Sequence, residues 1–256
     1  MIYEDFKRNH VILSGREGAL EEFLKQDYKG MQHKWKNGFN ANSEDALTWS
    51  CFDVLGNFEF KKKISVLNKI FEDAYESNEK LFIDDVQYES DQVKIHIGKQ
   101  YTGTTSKEST EVDASIEIPG KLVFIEAKLY STVSVASPPE KPHDQIARKL
   151  RIGLDSPLQD RREFFFIFLD IAPVDKLTKR KSKEEALTPS KGGYDEKWKS
   201  AWIYKYYKNG RNNSLRPLTE ALEGIKVPSV ESIASNMGWL TWSDLFKNVL
   251  QGAVAE

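Results

Sequence analysis

Between residues 111 and 130 the chain reads EVDASIEIPGKLVFIEAKLY, and within it Asp113, Glu126 and Lys128 are the side chains whose types and spacing can do chemistry. Two carboxylates and a lysine on one short hairpin are parts for handling a divalent cation and a water activated beside it. Val112, Ala114, Ile116 and Ile118 alternate with Glu111, Asp113, Ser115 and Glu117, which predicts a strand with one buried face, and Pro119-Gly120 predicts the turn into a second strand. A two-residue turn pairs Ile118 with Lys121, and the same register sets Asp113 across from Glu126. Opposed side chains on one face have Cβ atoms about 4.5–5.5 Å apart, so two carboxylates there repel unless a cation lies between them. Magnesium resolves that repulsion through the two carboxylates and a backbone carbonyl such as that of Ala127, with positions left for water and phosphate. Lys128, two residues past Glu126, shares its face and can orient or help deprotonate the water. Together the groups suit in-line hydrolysis of a phosphodiester. Glu111 falls across from Lys128 and is expected to pair with it as a structural salt bridge, and Glu117 is expected to be structural too.

The acid-x-lysine pattern recurs at Asp5-x-Lys7, Asp27-x-Lys29, Glu59-x-Lys61 and Asp195-x-Lys197, but none of these follows a turn and an apolar strand with an acid across from it. In its context the hairpin resembles the PD-(D/E)xK nuclease superfamily, the restriction-endonuclease-like fold. The resemblance covers roughly residues 43–170. It matches Asp113 to the first acid and Glu126-Ala127-Lys128 to the second motif. It implies that Glu44, at the start of the first core helix, joins the metal network, and that Gln145 is the polar residue of the helix after the second strand. Val112 replaces a frequent proline, and Lys149, four residues after Gln145, replaces the tyrosine of the end-processing exonuclease branch. The implied activity is therefore a magnesium- or manganese-dependent nuclease acting on DNA, an endonuclease of restriction, defence or repair type. Many enzymes of this resemblance work as homodimers, although no dimer seam shows in the chain. The alternative keeps the fold without the chemistry: a catalytically inactive DNA-binding or assembly subunit. A third reading is an interaction protein whose tyrosines and tryptophans form a partner surface.

The elements that must position these residues follow from periodicity. Residues 1–42 carry helical spacing through Leu20, Phe23, Leu24 and Tyr28 and then a Gly- and Asn-rich stretch, which predicts a loosely attached helical arm. Ser43 is an N-cap candidate with Glu44 and Asp45 in the first turn of a buried helix through Leu47, Cys51, Val54 and Leu55. A second helix is expected from Lys61 to Tyr75, then strands in LFIDDVQY and QVKIHIG. After a proline-rich loop, Pro142 suits the first turn of a helix with Ile146, Leu150 and Gly153 on one side and Gln145, Arg148 and Lys149 on another. EFFFIFLDI reads as a buried strand. A lysine-rich polar loop, a helix around Trp198 and Trp202, and two last helices, near Val230 to Asn236 and from Thr241 toward Gln251, complete the chain. The fold class is α/β: a restriction-endonuclease-like core with a mixed central sheet flanked by helices, and extra helices at both ends. Residues 1–42 are the arm and residues 43–256 a single domain.

Composition narrows the classes further. The chain has 256 residues, 39% hydrophobic and 12% aromatic, enough for a sizeable core. A formal net charge of -2 provides no global basic field, so contact with nucleic acid falls to local patches, of which the lysine- and arginine-rich span from Lys141 to Arg216 is the best candidate. The single cysteine, Cys51, excludes an internal disulfide and thiolate-rich metal sites and is expected in the core. His10, His33 and His96 share no ligand spacing with one another, and His143 is expected as a loop or cap histidine. No apolar run reaches the length of a signal peptide or a membrane span, and the expected setting is cytoplasmic.

Overall fold

The computed structural model describes residues 1–27, 32–77, 79–129, 142–155, 162–170, 218–227 and 229–255, together with 131, 134 and 136–139. A five-stranded mixed sheet forms its centre, in the order β1 (Lys94–Thr102), β2 (Ser109–Ile118), β3 (Lys121–Ala127), β4 (Glu163–Asp170) and β5 (Met237–Thr241). β2 runs antiparallel to both β1 and β3, whereas β3, β4 and β5 are mutually parallel. Gly120, at φ 76, allows the tight turn after Pro119 and leaves Ile118 paired with Lys121 as the hairpin pattern requires.

Helices cover both faces. On one side lie α3 (Glu44–Gly56), α4 (Phe60–Tyr75) and the C-terminal helix α8 (Trp242–Val254), whose Leu55, Ile70 and Leu245 pack on Ile116, Val123 and Ile167. The other side carries α5 (Gln145–Leu154), α6 (Leu218–Ala221) and α7 (Val230–Ser235), with Leu150 and Ile233 against Phe124, Phe166 and Trp239. β4 is buried on both faces, which is why its sequence runs apolar without alternation. Each fully buried large side chain in this strand contributes about 1.5–3 kcal/mol of transfer free energy.

α3 is the helix expected after Ser43, whose hydroxyl accepts the Ala46 N–H at 3.2 Å. It is buried nearly all round, because a third apolar cluster closes over it: Leu20, Phe23 and Leu24 of α1 (Glu17–Leu24) pack on Trp49, alongside Trp35 of α2 (His33–Gly38). The N-terminal segment is thus held to the sheet rather than loosely attached. Arg16 pairs with buried Asp53 at 2.6 Å and the Lys34 ammonium with Glu111 at 2.5 Å. At Gly98, φ is +65 and an added Cβ would run into Lys34 Nζ and Gln26 Oε1, so the close seating of this segment on β1 needs glycine. α8 likewise belongs to the main core rather than to a peripheral extension.

Several sequence expectations are corrected. LFIDDVQY forms no strand: Leu81 and Ile83 are core residues in an irregular segment, held where the Ile83 N–H reaches Asn68 Oδ1 at 2.9 Å. α5 begins at Gln145, not at Pro142, because Asp144 caps it by accepting the Ile146 and Ala147 N–H groups. β5 is not anticipated by its pattern, being five buried residues with no polar alternation. Helix α4 starts at Phe60 with Glu59 as its cap, which gives the Glu59-x-Lys61 pattern a structural role, and Asp5 caps the helical turn Phe6–Asn9 in the same way. The helix around Trp198 and Trp202 and the lysine-rich polar loop before it lie outside the described residues. Among the described residues, no helix is long and apolar enough to cross a membrane.

Candidate metal and phosphate centre

The β2–β3 ladder runs in the expected register to Ala114–Ile125, and the next positions along the two strands are Asp113 and Glu126. There the pairing changes character. Asp113 Oδ2 accepts the Ala127 N–H at 2.8 Å, so a side chain makes the next link between the strands. On its other flank Asp113 faces Gly98, and that pair is missing from the β1–β2 ladder. Side chains exchange faces across this break: Ile97 and Ala114 belong to the core layer of α3 and α4, whereas Tyr101 and Val112 join the layer of α5. The uniform apolar face expected from Val112 to Ile118 therefore ends at Ala114.

Two lysines meet the acids. Lys128 Nζ lies 2.6 Å from Glu126 Oε1 and donates to the Ala127 carbonyl at 2.7 Å and to Glu44 Oε1 at 3.1 Å. Its backbone is anchored on both sides, the N–H on Leu169 O at 2.7 Å and the carbonyl accepting Trp242 Nε1–H at 2.9 Å. Lys149, on α5, ion-pairs with Glu126 Oε2 and stands 3.5 Å from Asp113 Oδ1. Glu126 is fully buried and Lys149 is 1% exposed, so both charges depend on these partners. The Glu126 Oε1 contact with Lys128 is an ion pair off the hydrogen-bond direction, which leaves that oxygen without a donor. For Asp113, burial pushes the carboxyl pKa up, but Lys149, Lys128, the Ala127 N–H and Lys34 outweigh it and hold the group below its ordinary value.

The structure also brings Glu44 to this cluster. Its carboxylate does not turn back to its own helix N-terminus; Oε2 accepts the Leu129 N–H at 2.8 Å and the Ser131 hydroxyl at 2.7 Å while Oε1 meets Lys128. Gln145 stands one turn before Lys149 on α5, and its side chain accepts the Ser134 N–H at 3.2 Å, tying the loop before the helix to its first residue. Glu111 is not opposite Lys128: it pairs with Lys34, because the regular β2–β3 ladder stops before reaching it. Glu117 is structural, held by Lys99 at 2.5 Å and by the Tyr101 hydroxyl at 2.9 Å. His143 lies 3.4 Å from Glu108, and Cys51 is buried in the core.

A cleft of about 210 Å³ opens beside the acids, lined by Lys34, Asp45, Glu111, Asp113, Gln145 and Lys149 among others. A larger one of about 570 Å³, between α1, α3 and β1, holds Arg16, Trp49 and His96 but none of Asp113, Glu126 and Lys128. In the smaller cleft burial, with the nearby Asp113 charge, pushes the Asp45 carboxyl up to about 6, against the opposing pull of Lys34. Lys149, Asp45 and Lys34 are the site residues that motif reading passes over. For Lys149 a signal exists, since a residue four positions after Gln145 shares its helix face; Lys34 has none, because it arrives from a distant segment.

No known protein family, curated protein or solved structure matches this chain. The site is therefore judged by its donor set. Among the described residues no group of three or more His, Cys, Asp or Glu side chains is arranged to hold a metal. The oxygens that converge are all hard ones: those of Asp113 and Glu126 meet at Lys149, and those of Glu126, Glu44 and the Ala127 carbonyl meet at Lys128. The Lys128 ammonium lies within 3.1 Å of oxygens from Glu126, Ala127 and Glu44, a position a cation favours. Oxygen donors of this kind are the type that magnesium or manganese takes.

Proposed function

We propose that this chain is a metal-dependent nuclease with a restriction-endonuclease-like core of the PD-(D/E)xK kind, acting on DNA as an endonuclease. The observation that carries the reading is the convergence of Glu44, Asp113, Glu126 and Lys128 at the carboxyl end of β3, from a helix and two strands separated in sequence. Asp113, Glu126 and the Ala127 carbonyl would hold magnesium or manganese, with Glu44 in the surrounding network. The ion, when bound, supplies Lewis-acid polarisation of a phosphate oxygen and a more acidic water.

The chain's own groups do the rest. Lys128, fixed by its backbone bonds and its contacts with Glu44 and Glu126, presents an ammonium that can hold the attacking water or stabilise charge on the phosphate. Glu44 restrains that ammonium and the backbone at Leu129 together. Gln145 fixes the approach to α5 and lines the cleft that a phosphate chain would enter.

Incubation with circular and linear DNA, with magnesium or with EDTA, tests the proposal. Nicking or linearisation of the circle that needs magnesium, and that disappears in Asp113→Ala and Lys128→Ala, is the expected result. Full activity in both variants would remove the assignment. One observation favours the second reading, an inactive DNA-binding or assembly subunit: the buried acids are already ion-paired with lysines. DNA binding with neither divalent-ion uptake nor cleavage would select it.

A further inference from the structure

Building on the metal-site reading above, we infer that Lys149 is a resident counter-ion of the acid pair, which leaves Asp113 and Glu126 and enters the adjoining cleft when a divalent ion binds. Lys149 lies outside the acid-x-lysine motif, yet its ammonium bridges the two acids expected to hold the ion: it ion-pairs with Glu126 Oε2 and stands 3.5 Å from Asp113 Oδ1. An ammonium and a magnesium ion cannot share those oxygens, because the ion binds oxygen at about 2.0–2.1 Å and the two cations repel in a buried setting. Three carboxylates, Glu44, Asp113 and Glu126, directly meet the two ammonium groups, so an incoming ion competes with a cation already seated on the acid pair.

Geometry selects Lys149 as the one that leaves. Lys128 is also bound to Glu44, outside the oxygens the ion would take, and its main chain is locked to β4 and α8. Among the described residues, Lys149 forms its ion pairs with the two acids themselves. Its side chain also lines the cleft that holds Asp45 and Glu111, so a displaced ammonium has carboxylates to move toward. In that position it also meets whatever phosphate enters, which couples loading of the ion to substrate binding.

Manganese titration followed by the EPR signal of the free ion tests this on the wild type, Lys149→Gln, Lys149→Arg and Glu126→Gln. Lys149→Gln is expected to bind manganese about tenfold more tightly than the wild type, or about 1.4 kcal/mol. Lys149→Arg, which keeps the charge, should bind no more tightly than the wild type. Equal or weaker affinity in Lys149→Gln overturns the counter-ion role; if Glu126→Gln then abolishes binding, the metal site itself stands. No binding by the wild type or by Lys149→Gln overturns both. A measurement that needs no variant is amine acetylation of the wild type read by mass spectrometry: labelling of Lys149 should rise several-fold on adding magnesium, and unchanged or reduced labelling counts against the proposal.

Discussion

Asp113 Oδ2 accepts the main-chain N–H of Ala127 at 2.8 Å, so the first acid of the site is fastened to the end of the strand that carries the second. The bond does two jobs. It closes the β2–β3 ladder where the regular pairing stops, and it aims the remaining carboxylate oxygen toward Lys149.

Asparagine at position 113 retains an oxygen for the Ala127 N–H and loses the charge. Asp113→Asn is expected to stay within about 1 kcal/mol of wild-type stability, whereas Asp113→Ala, which orphans the N–H, should lose about 1–3 kcal/mol. Both should lose divalent-ion binding and cleavage. Urea denaturation beside a cleavage assay checks this; equal stability in the two variants would show that the bond contributes nothing.

Lys128 touches every acid-bearing element of the site except β2, through Glu44 of α3 and Glu126 of β3. Lys128→Gln should keep the fold and lower the rate of DNA cleavage by about 10²–10³, the usual effect of losing one charge-stabilising donor. Single-turnover kinetics at saturating magnesium would measure it, and a fall of less than threefold would place Lys128 outside the chemistry.

Asp155 caps the end of α5 and accepts the Thr105 and Ser106 N–H groups at 2.8 and 2.6 Å, docking the β1–β2 loop on the helix that carries Gln145 and Lys149. Burial raises its carboxyl pKa, but the hydrogen bonds from Ser106 and Thr105 outweigh that and hold it below the ordinary value. A depressed folded-state pKa means stability that is present in full above the unfolded value, about 4, and is lost as pH falls through the lower folded value. Between pH 5 and 2, Asp155→Asn should therefore lose less stability than the wild type. Parallel denaturation curves across that range would count against the role.

Gly98 is the contact point between β1 and the N-terminal segment. Gly98→Ala must place a side chain at φ +65 and against Lys34 and Gln26. A loss of about 1–3 kcal/mol is expected from strain of this kind. Loosening should appear first as faster amide exchange in α1 and α2, and uniform protection across the chain would show that the segment does not depend on this seat.

The hairpin was legible in the sequence because its information is local. Period-two alternation, a Pro-Gly turn and strand geometry were enough for the register from Ile118–Lys121 to Ala114–Ile125 and for the neighbourhood of Asp113 and Glu126. The α3 cap at Ser43, the α4 stripe and the apolar run of β4 were readable for the same reason. LFIDDVQY misled because apolar content alone does not distinguish a strand from an irregular segment that buries Leu81 and Ile83, and β5 escaped because a strand buried on both faces has no period.

What the sequence determined by itself, then, was the acid pair, its hairpin and an α/β arrangement of elements able to carry it. Tertiary structure alone decided the charge environment: that Glu44 meets Lys128, that Lys149 pairs with Glu126, and that Lys34 rather than Lys128 takes Glu111. Each of these partners comes from a different element, and an ion pair between separate elements leaves no spacing in the sequence. It depends on how helices seat on the sheet, which only the packing of the whole core sets.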